Sequence, residues 1–249
     1  MPRLFVACVP SAASRALLAE DGARLLRAAP ALRVVGAADL HFTVAFLGAT
    51  PDDRVEALCA RLAEVASAQR PFEVRIEGLG AFPSYHRPRV LWAGLESGPG
   101  ATALASLARR VRRACLAAGC APDANGTFEP HVTLGRLGTR GPGAGGPPSE
   151  ALEMLLTTGA LQGTYTPELL SDLLLMVSEA TSLSDIELGA SDPDAGRPAS
   201  GLAASGLAAR VWPGTRLPGS RYRVLASWCF AGGIGGGAPS GGASPTAPA

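Results

Sequence analysis

The sequence predicts an α+β fold in which helices cover the outer faces of mainly antiparallel sheets. Short β-prone runs alternate along the chain with alanine- and leucine-rich stretches whose apolar residues recur at helical spacing. In addition, the pattern His-x-Thr-apolar occurs twice, at positions 41 and 131, each time after a predicted helix. Such internal similarity is expected when two lobes of similar make-up each contribute one strand to a shared site.

The first third of the chain contains four predicted strands and two predicted helices. We expect strands at residues 4–9, 32–35, 40–47 and 72–77, the last from its alternation of apolar and charged residues. Ser11 is a suitable cap for the first helix. Thr50-Pro51-Asp52 supplies a turn, a helix cap and a proline at the first position of the second helix.

The remaining predicted elements follow the same alternation. A helix is expected from Thr102 to a stop at Gly119 and a shorter one over residues 152–156, with strands at 89–95, 131–137, 173–179 and 221–230. Glycine- and proline-rich composition predicts a surface loop at 138–148. We interpret residues 1–230 as a single bilobal domain with an insertion at 184–218 within a hairpin connection, and residues 231–249 as a disordered tail.

The composition indicates a globular cytoplasmic protein and no membrane span. The chain has 249 residues, 47% of them hydrophobic, and a net charge of +1, and all 22 basic residues are arginine. No apolar stretch reaches the length of a membrane helix, and no signal-peptide pattern follows the run that Pro10 ends. The five cysteines lack paired CxxC spacing, so we expect reduced and mostly buried thiols and no zinc site.

The two repeated motifs are the main functional signal. In a strand, residues i and i+2 project from one face, so His41 with Thr43, and His131 with Thr133, each present an imidazole beside a hydroxyl. One such motif alone is more typical of a structural histidine. Two copies predict a pair of imidazoles that cleaves a phosphodiester without metal, one ring accepting a proton from water and the other donating to the leaving oxygen. The threonine hydroxyls would bind the non-bridging phosphate oxygens.

A metal site is the alternative interpretation of the same segments. Asp39 and Glu129 each precede a motif histidine by two positions and would complete a site of two histidines and two carboxylates. Pro130 weakens this alternative, because it interrupts the strand between Glu129 and its histidine. The third histidine, His86, lies in a proline-punctuated loop and is interpreted as a surface or substrate-rim residue.

The paired motifs resemble those of the 2H phosphoesterase superfamily, and the surrounding residues resemble its RNA 2',3'-cyclic phosphodiesterase family, also called 2'-5' RNA ligase. Residues 40–48 and 130–136 resemble the two family motifs, 3–7 the opening strand, 89–94 the central strand, and 175–179 with 222–225 the closing hairpin. The chain departs from the family pattern at Val44, where leucine is usual, and in the 184–218 insertion.

The resemblance implies a bilobal 2H phosphoesterase fold with the two histidines facing each other across a central cleft. It implies that His41 is the general acid that protonates the leaving ribose oxygen and that His131 is the general base that activates water. It further implies hydrolysis of RNA 2',3'-cyclic phosphate ends to 2'-phosphomonoesters, without cofactor or metal, and reversible 2'-5' ligation. A monomer is expected.

Phe46 and Arg136 stand at positions where the resemblance implies a stacking clamp for the terminal base. A core phenylalanine and a solvated surface arginine are the alternative interpretations, and for Arg87 and Arg89 we expect solvent exposure. Two functional alternatives also remain open. One is a 2H enzyme for small cyclic nucleotides or 2'-5' oligonucleotides, and the other is an RNA-end binding module without catalysis, against which the presence of both histidines and both threonines argues.

Overall fold

The computed structural model describes residues 1–123, 128–138, 148–161, 163–178, 209–210, 215–216 and 219–231. Within these ranges the chain forms helices α1 (Ala12–Ala28), α2 (Val55–Ser67), α3 (Pro99–Ala117) and α4 (Glu150–Thr158). The strands are β1 (Arg3–Cys8), β2 (Leu32–Val34), β3 (Phe42–Ala49), β4 (Phe72–Val74), β5 (Ile76–Phe82), β6 (Val90–Leu95), β7 (Val132–Leu137), β8 (Glu168–Leu170), β9 (Asp172–Ser178), β10 (Ala209–Arg210), β11 (Thr215–Arg216) and β12 (Tyr222–Cys229).

Ten of the strands form one continuous antiparallel sheet. Its main order is β10-β12-β9-β1-β3-β7-β6-β5, with β11 added on β12 and β2 added on β7, while β4 and β8 form a separate pair. The sheet divides into two half-sheets, because β3 and β7 are joined at a single paired position, Phe42 with Val132. One motif strand lies in each half-sheet, as predicted, and the α+β fold class with antiparallel sheets is confirmed.

Burial alternates along the strands, so the first half-sheet has two apolar faces. Leu4, Val6 and Cys8 of β1 belong to the main core, whereas Phe5 and Ala7 belong to a smaller cluster on the opposite face. The period of two follows from the pleat of the strand. The main core extends beneath the helices, and the smaller cluster lies on the face that carries the first motif's histidine.

The helices pack on the main-core face of both half-sheets. Helix α1 contacts β2 and β7, α2 and α3 pack against each other, and α3 also contacts β3. Ser11 caps α1 as predicted, since its hydroxyl accepts a hydrogen bond from the Ser14 backbone N–H at 3.2 Å. Gly119 follows α3 with φ +73°, a backbone conformation that glycine adopts without a steric penalty. No helix in the described ranges is long and apolar enough to cross a membrane.

Most predicted boundaries are shifted by one or two residues, and three differences are larger or change the role of a residue. A 3₁₀ turn at Asp52–Arg54 precedes α2, so Pro51 is not its first residue, and the Thr50 hydroxyl donates to the Gly48 carbonyl oxygen instead of capping the helix. Helix α3 begins at Pro99, before Thr102. The single strand predicted at 72–77 is two strands, because the segment changes partner from β8 to β6 at Arg75.

The low-complexity segments lie largely outside the described residues. This applies to most of the loop at 138–148, to the insertion at 184–218 apart from β10 and β11, and to the tail from residue 232. Strands β9 and β12, which lie on either side of this segment in sequence, pair antiparallel, from Tyr222 with Ser178 to Cys229 with Asp172.

Candidate active site

The two repeated motifs adopt the same local structure at the starts of two strands. His41 immediately precedes β3 and His131 immediately precedes β7. In each motif the next residue, Phe42 or Val132, is buried in the main core, with exposed fractions of 1% and 0%. Each histidine, and the threonine two positions after it, is only half-buried and belongs to the opposite face of its strand.

The junction between the half-sheets brings these polar pairs together. Phe42 pairs with Val132 in antiparallel orientation. Antiparallel register therefore sets the histidine of each motif beside the threonine of the other motif, on the face away from the core. The structure thus gathers His41, Thr43, His131 and Thr133 into one site.

The backbone fixes the orientation of both imidazoles in the same way. The Nδ1 atom of His41 lies 2.6 Å from the carbonyl oxygen of Asp39, and Nδ1 of His131 lies 2.7 Å from the carbonyl oxygen of Glu129. A carbonyl oxygen only accepts hydrogen bonds, so Nδ1 must carry the proton in each ring. In the neutral form the Nε2 atom of each ring is therefore the unprotonated, basic nitrogen.

Aromatic rings support His41 from two directions. Phe5 of β1 stacks on the imidazole with a centroid distance of 5.0 Å, and Tyr222 of β12 meets it edge-on at 5.5 Å. Phe5 and Tyr222 contact each other at 5.0 Å, which closes the group of three rings. The packing leaves the first motif's ring few alternative orientations.

A second aromatic pair supports His131. Phe82 of β5 meets the ring edge-on at 5.1 Å, and Trp92 of β6 lies 5.8 Å away at 51°. The indole lies across Gly80, where a Cβ atom would overlap the ring. Glycine at position 80 thus permits the close approach of Trp92 to its neighbouring strand.

Burial lowers the pKa of both histidines. Loss of hydration lowers the pKa of His41 to about 4, assisted by the charges of His131 and Arg221 and opposed by the carbonyl bond and negative charge of Asp39. Burial likewise lowers the pKa of His131, assisted by Arg136 and opposed by Glu129. The lowered pKa values favour the neutral form of both rings in the free protein, whereas the ordinary pKa of histidine predicts a mixture of both forms near pH 7.

The carboxylates near the motifs are engaged elsewhere or exposed. One carboxylate oxygen of Asp39 accepts hydrogen bonds from the Ser220 hydroxyl at 2.6 Å and the Arg221 backbone N–H at 2.9 Å, and the other lies 3.1 Å from Nε of Arg221. Glu129 is exposed. Among the described residues, no group of three or more histidine, cysteine or acidic side chains is arranged to hold a metal ion. Four of the five cysteines, Cys8, Cys59, Cys115 and Cys120, are buried thiols outside any disulfide.

Phe46 and Arg136 both lie on the surface near the two rings. Phe46 is 48% exposed and packs against Phe5 at 5.8 Å, one ring away from His41. Arg136 is exposed on β7, close enough for its charge to act on the pKa of His131. Phe46 is therefore not a core residue, and each side chain is accessible to a bound molecule.

The loop between β5 and β6 carries the third histidine and the first of two nearby arginines. His86 and Arg87 are exposed in this loop, and Arg89, directly before β6, is exposed as well. The exposure predicted for Arg87 and Arg89 is therefore observed.

Sequence reasoning missed the residues that surround the two imidazoles. The pattern indicates only that Phe5, Phe82, Trp92 and Tyr222 lie on or beside strands, and it gives Arg221 no role. The one available signal was the alternation that sets Phe5 and Ala7 on the face opposite Leu4 and Val6. Which strand lies beside β1 is not visible in that pattern.

Comparison with known proteins extends these observations. Residues 9–92 match the family model described as LigT-like phosphoesterase, a span that includes the first motif and ends before His131. The RNA 2',3'-cyclic phosphodiesterase of Geobacillus stearothermophilus is 39% identical over 98 residues, which are 39% of this chain and 30% of that protein. The enzyme of the same name from Aquifex aeolicus is 36% identical over 99 residues, or 40% and 52% of the two chains. The chain thus spans about a third to a half of the length of these relatives.

Solved structures share the fold over a longer stretch. Escherichia coli LigT in complex with 3'-AMP superposes with a TM-score of 0.57 at 23% identity, covering 92% of this chain and 98% of that one. A protein from Thermus thermophilus superposes with a TM-score of 0.54 at 27% identity, covering 70% and 87%. Over residues 9–92 the sequence is similar to the LigT-like phosphoesterases, and the chain shares the fold of Escherichia coli LigT and of the Thermus thermophilus protein.

Proposed function

We propose that this protein hydrolyses 2',3'-cyclic phosphates at RNA ends and leaves 2'-phosphomonoesters. One observation carries the proposal: two distant His-x-Thr motifs meet at the Phe42–Val132 pair, each with Nδ1 bound to a carbonyl and Nε2 left for chemistry. The names of the relatives from Geobacillus stearothermophilus and Aquifex aeolicus support the same substrate class.

Proton transfer by the two imidazoles accounts for the reaction. Nε2 of His131 takes a proton from water as the water oxygen attacks phosphorus, and Nε2–H of His41 gives a proton to the departing 3' oxygen. One P–O bond forms and the P–O3' bond breaks, so the product keeps the phosphate on the 2' oxygen. His41 then ends neutral and His131 ends protonated, and exchange with solvent restores the starting state. When a 5' hydroxyl takes the place of water, the same steps form a P–O5' bond and break the P–O3' bond, which gives a 2'-5' phosphodiester; the reverse of that reaction cleaves the 2'-5' link.

The negative charge of the bound substrate stabilises the protonated His41 that the reaction requires. A general acid must be protonated, yet burial lowers the pKa of His41 to about 4. A phosphodiester anion bound between the rings favours the charged imidazolium and raises its pKa, because opposite charges attract strongly in a buried site. Substrate binding is therefore coupled to uptake of one proton in this mechanism.

Hydroxyl groups complete the phosphate site. Neither Thr43 nor Thr133 has a hydrogen-bond partner for its hydroxyl among the described residues, so both are available to donate to non-bridging oxygens. Donors fixed where negative charge accumulates stabilise the transition state more than the ground state. We infer that no metal takes part, since the Asp39 carboxylate is already bound to Ser220 and Arg221.

Phe46 and Arg136 are proposed to hold the terminal base. An exposed ring and a guanidinium plane flanking the two histidines suit stacking on a nucleobase, which is worth about 1–3 kcal/mol per base. Substitution Phe46→Ala tests this role, because loss of stacking raises KM for the RNA end and leaves kcat nearly unchanged. An unchanged KM would remove Phe46 from the site.

A cytoplasmic monomer fits these features. The four buried thiols are typical of a protein in a reducing compartment, where disulfides are rare. Size-exclusion chromatography with light scattering tests the monomer, and a stable dimer would contradict it.

The experiment that tests the proposed function uses oligonucleotides ending in a 2',3'-cyclic phosphate, incubated with the protein in EDTA. We expect complete conversion to a 2'-phosphate, identified by its resistance to enzymes that remove only 3'-phosphates. If only small cyclic nucleotides or 2'-5' oligonucleotides are converted, the protein is instead a 2H phosphodiesterase for those substrates. Tight binding of the RNA end without any turnover would indicate a binding module instead.

A further inference from the structure

Asp39 is a buried carboxylate that joins two distant parts of the chain. Its exposed fraction is 8%, and it lies at the end of the 3₁₀ turn that leads into the first motif. Its partners, Ser220 and Arg221, lie directly before β12, 181 and 182 residues further along the chain. Hydrogen bonds to a charged group inside a protein are among the stronger ones, so this contact fixes the turn relative to β12.

The same two segments also hold the imidazole of His41. The backbone carbonyl of Asp39 accepts the Nδ1–H bond of the ring, and Tyr222, next to Arg221, meets the ring edge-on at 5.5 Å. The Arg221 guanidinium in turn lies over the Tyr222 ring at 5.1 Å. A movement of β12 relative to the turn would therefore shift both the acceptor and one aromatic neighbour of His41.

The second motif has no equivalent arrangement within the described ranges. Glu129 occupies the matching position two residues before His131 and offers the same backbone acceptor at 2.7 Å. Its side chain is exposed and has no hydrogen-bond or ion-pair partner among the residues that the structure describes. Each histidine thus bonds to the backbone carbonyl of the residue two positions before it. Only in the first motif is the side chain of that residue, Asp39, itself held by partners among the described residues.

We propose that Asp39 is a positioning residue for His41. Its carboxylate binds Ser220 and Arg221, holds the carbonyl acceptor and Tyr222 in place, and so keeps His41 in the Nδ1–H tautomer with Nε2 directed at the phosphate. This role deepens the proposed function and rests on it. The turnover rate depends on the Asp39 side chain although the side chain contacts neither substrate nor the reacting atoms.

The test compares Asp39→Asn with Asp21→Asn. Asparagine keeps the size of Asp39 and its backbone carbonyl, but its NH2 group cannot accept a hydrogen bond, so the contacts with Ser220 and Arg221 cannot all be kept. Asp21 is a matched control, because it is also buried, at 4% exposure, and accepts a hydrogen bond from the Tyr165 hydroxyl at 2.8 Å, away from both histidines. Each variant loses a buried negative charge, but only the charge of Asp39 lies beside the site of the two histidines.

We expect Asp39→Asn to lower kcat by about tenfold or more, by analogy with the effects seen for orienting partners of metal-binding histidines, with KM changed less than about twofold. Asp21→Asn should retain the kcat of the unaltered protein. Nitrogen-15 NMR of the free protein should show the Nδ1–H tautomer of His41 in the parent and a mixture of tautomers in Asp39→Asn. The other charged groups that act on this ring, Arg221 and His131, are both unchanged in Asp39→Asn.

An unaltered kcat and an unaltered His41 tautomer in Asp39→Asn would overturn the proposal, as would equal losses in both variants. If Asp39→Asn does not fold, Arg221→Gln removes the ion pair by changing its exposed partner. The control is Arg75→Gln, which breaks the exposed ion pair between Arg75 and Glu96. The expected result is the same tautomer mixture in Arg221→Gln alone. Because the NMR measurement needs no substrate, it decides the positioning role even if cyclic phosphate proves not to be turned over.

Discussion

Phe42 and Val132 form the single paired position at which the two half-sheets of this protein meet. Both side chains are buried, and the antiparallel pair that they form sets the two preceding histidines diagonally across the junction, each beside the threonine of the other motif. The site is therefore formed at the junction of the halves, and neither half contains it alone.

The stability of the junction is predicted to depend on Phe42 and not on Phe46, four residues further along the same strand. Phe42 is 1% exposed and Phe46 is 48% exposed. Truncating a buried phenylalanine costs about 3–5 kcal/mol of unfolding free energy, whereas Phe46→Ala should cost less than about 1 kcal/mol. Urea denaturation of the two variants measures the difference. Equal losses would contradict the role of Phe42 as the core residue of the junction.

A change of leaving group in the substrate should distinguish the general acid, His41, from the general base, His131. An aryl phosphodiester whose leaving group is a stable phenolate needs no protonation, so His41→Ala should lose far less activity on it than on the RNA end. The His131→Ala variant should remain inactive on both, since water still requires a base. Steady-state rates on the two substrates check the assignment. Rescue of His131→Ala instead would mean that the roles are reversed.

The pH dependence should reflect the lowered pKa values of both histidines. In the free protein the imidazolium of His41 is lost as pH rises through about 4, so kcat/KM should already fall with rising pH below the ordinary histidine value near 6.5. Bound substrate anion raises the pKa, so the alkaline limb of kcat should lie at higher pH than that of kcat/KM. Coincident limbs for the two parameters would show that the substrate does not stabilise the imidazolium.

Each threonine is predicted to act on the transition state. Thr43→Val or Thr133→Val keeps the shape of the side chain and removes one donor to the phosphate, which should lower kcat by about 10²-fold, the order observed for single oxyanion donors. Thr102→Val, at an exposed hydroxyl that donates to the Gly98 carbonyl oxygen in α3, serves as control and should be unaffected. Measured kcat values near that of the control would exclude both hydroxyls from the phosphate site.

Much of this fold was predictable because period-two burial and helical spacing are local properties. The repeat of His-x-Thr-apolar predicted that β3 and β7 would share a site, and the structure brings them together at Phe42 and Val132. The alternation at 72–77 is also observed, with Val74 and Ile76 buried between exposed charged residues. What alternation does not encode is the change of partner strand at Arg75, which divides the predicted strand in two.

The surroundings of the histidines were not predictable for the same reason. Tyr222 reaches His41 because β12, β9, β1 and β3 are neighbours in that order, a long-range arrangement that no local pattern specifies. The lowered pKa values also follow from tertiary burial, which a motif alone does not report. The hydrogen bonds from Ser220 and Arg221 to Asp39 are long-range contacts as well, and were not predictable from local sequence. The spacing of Asp39 from His41 indicates only a metal ligand or an orienting partner of that histidine.

The most direct measurement is the single-turnover rate of cyclic phosphate opening, in EDTA, for His41→Ala, His131→Ala and the double variant, with His86→Ala as control. If the two imidazoles act as a unit, each single variant should lose nearly as much as the double variant, because removing either partner already abolishes the concerted transfer. His86, exposed in the loop between β5 and β6, should be dispensable. Near-normal rates in either single variant, or independent losses that multiply in the double variant, would contradict the two-histidine account.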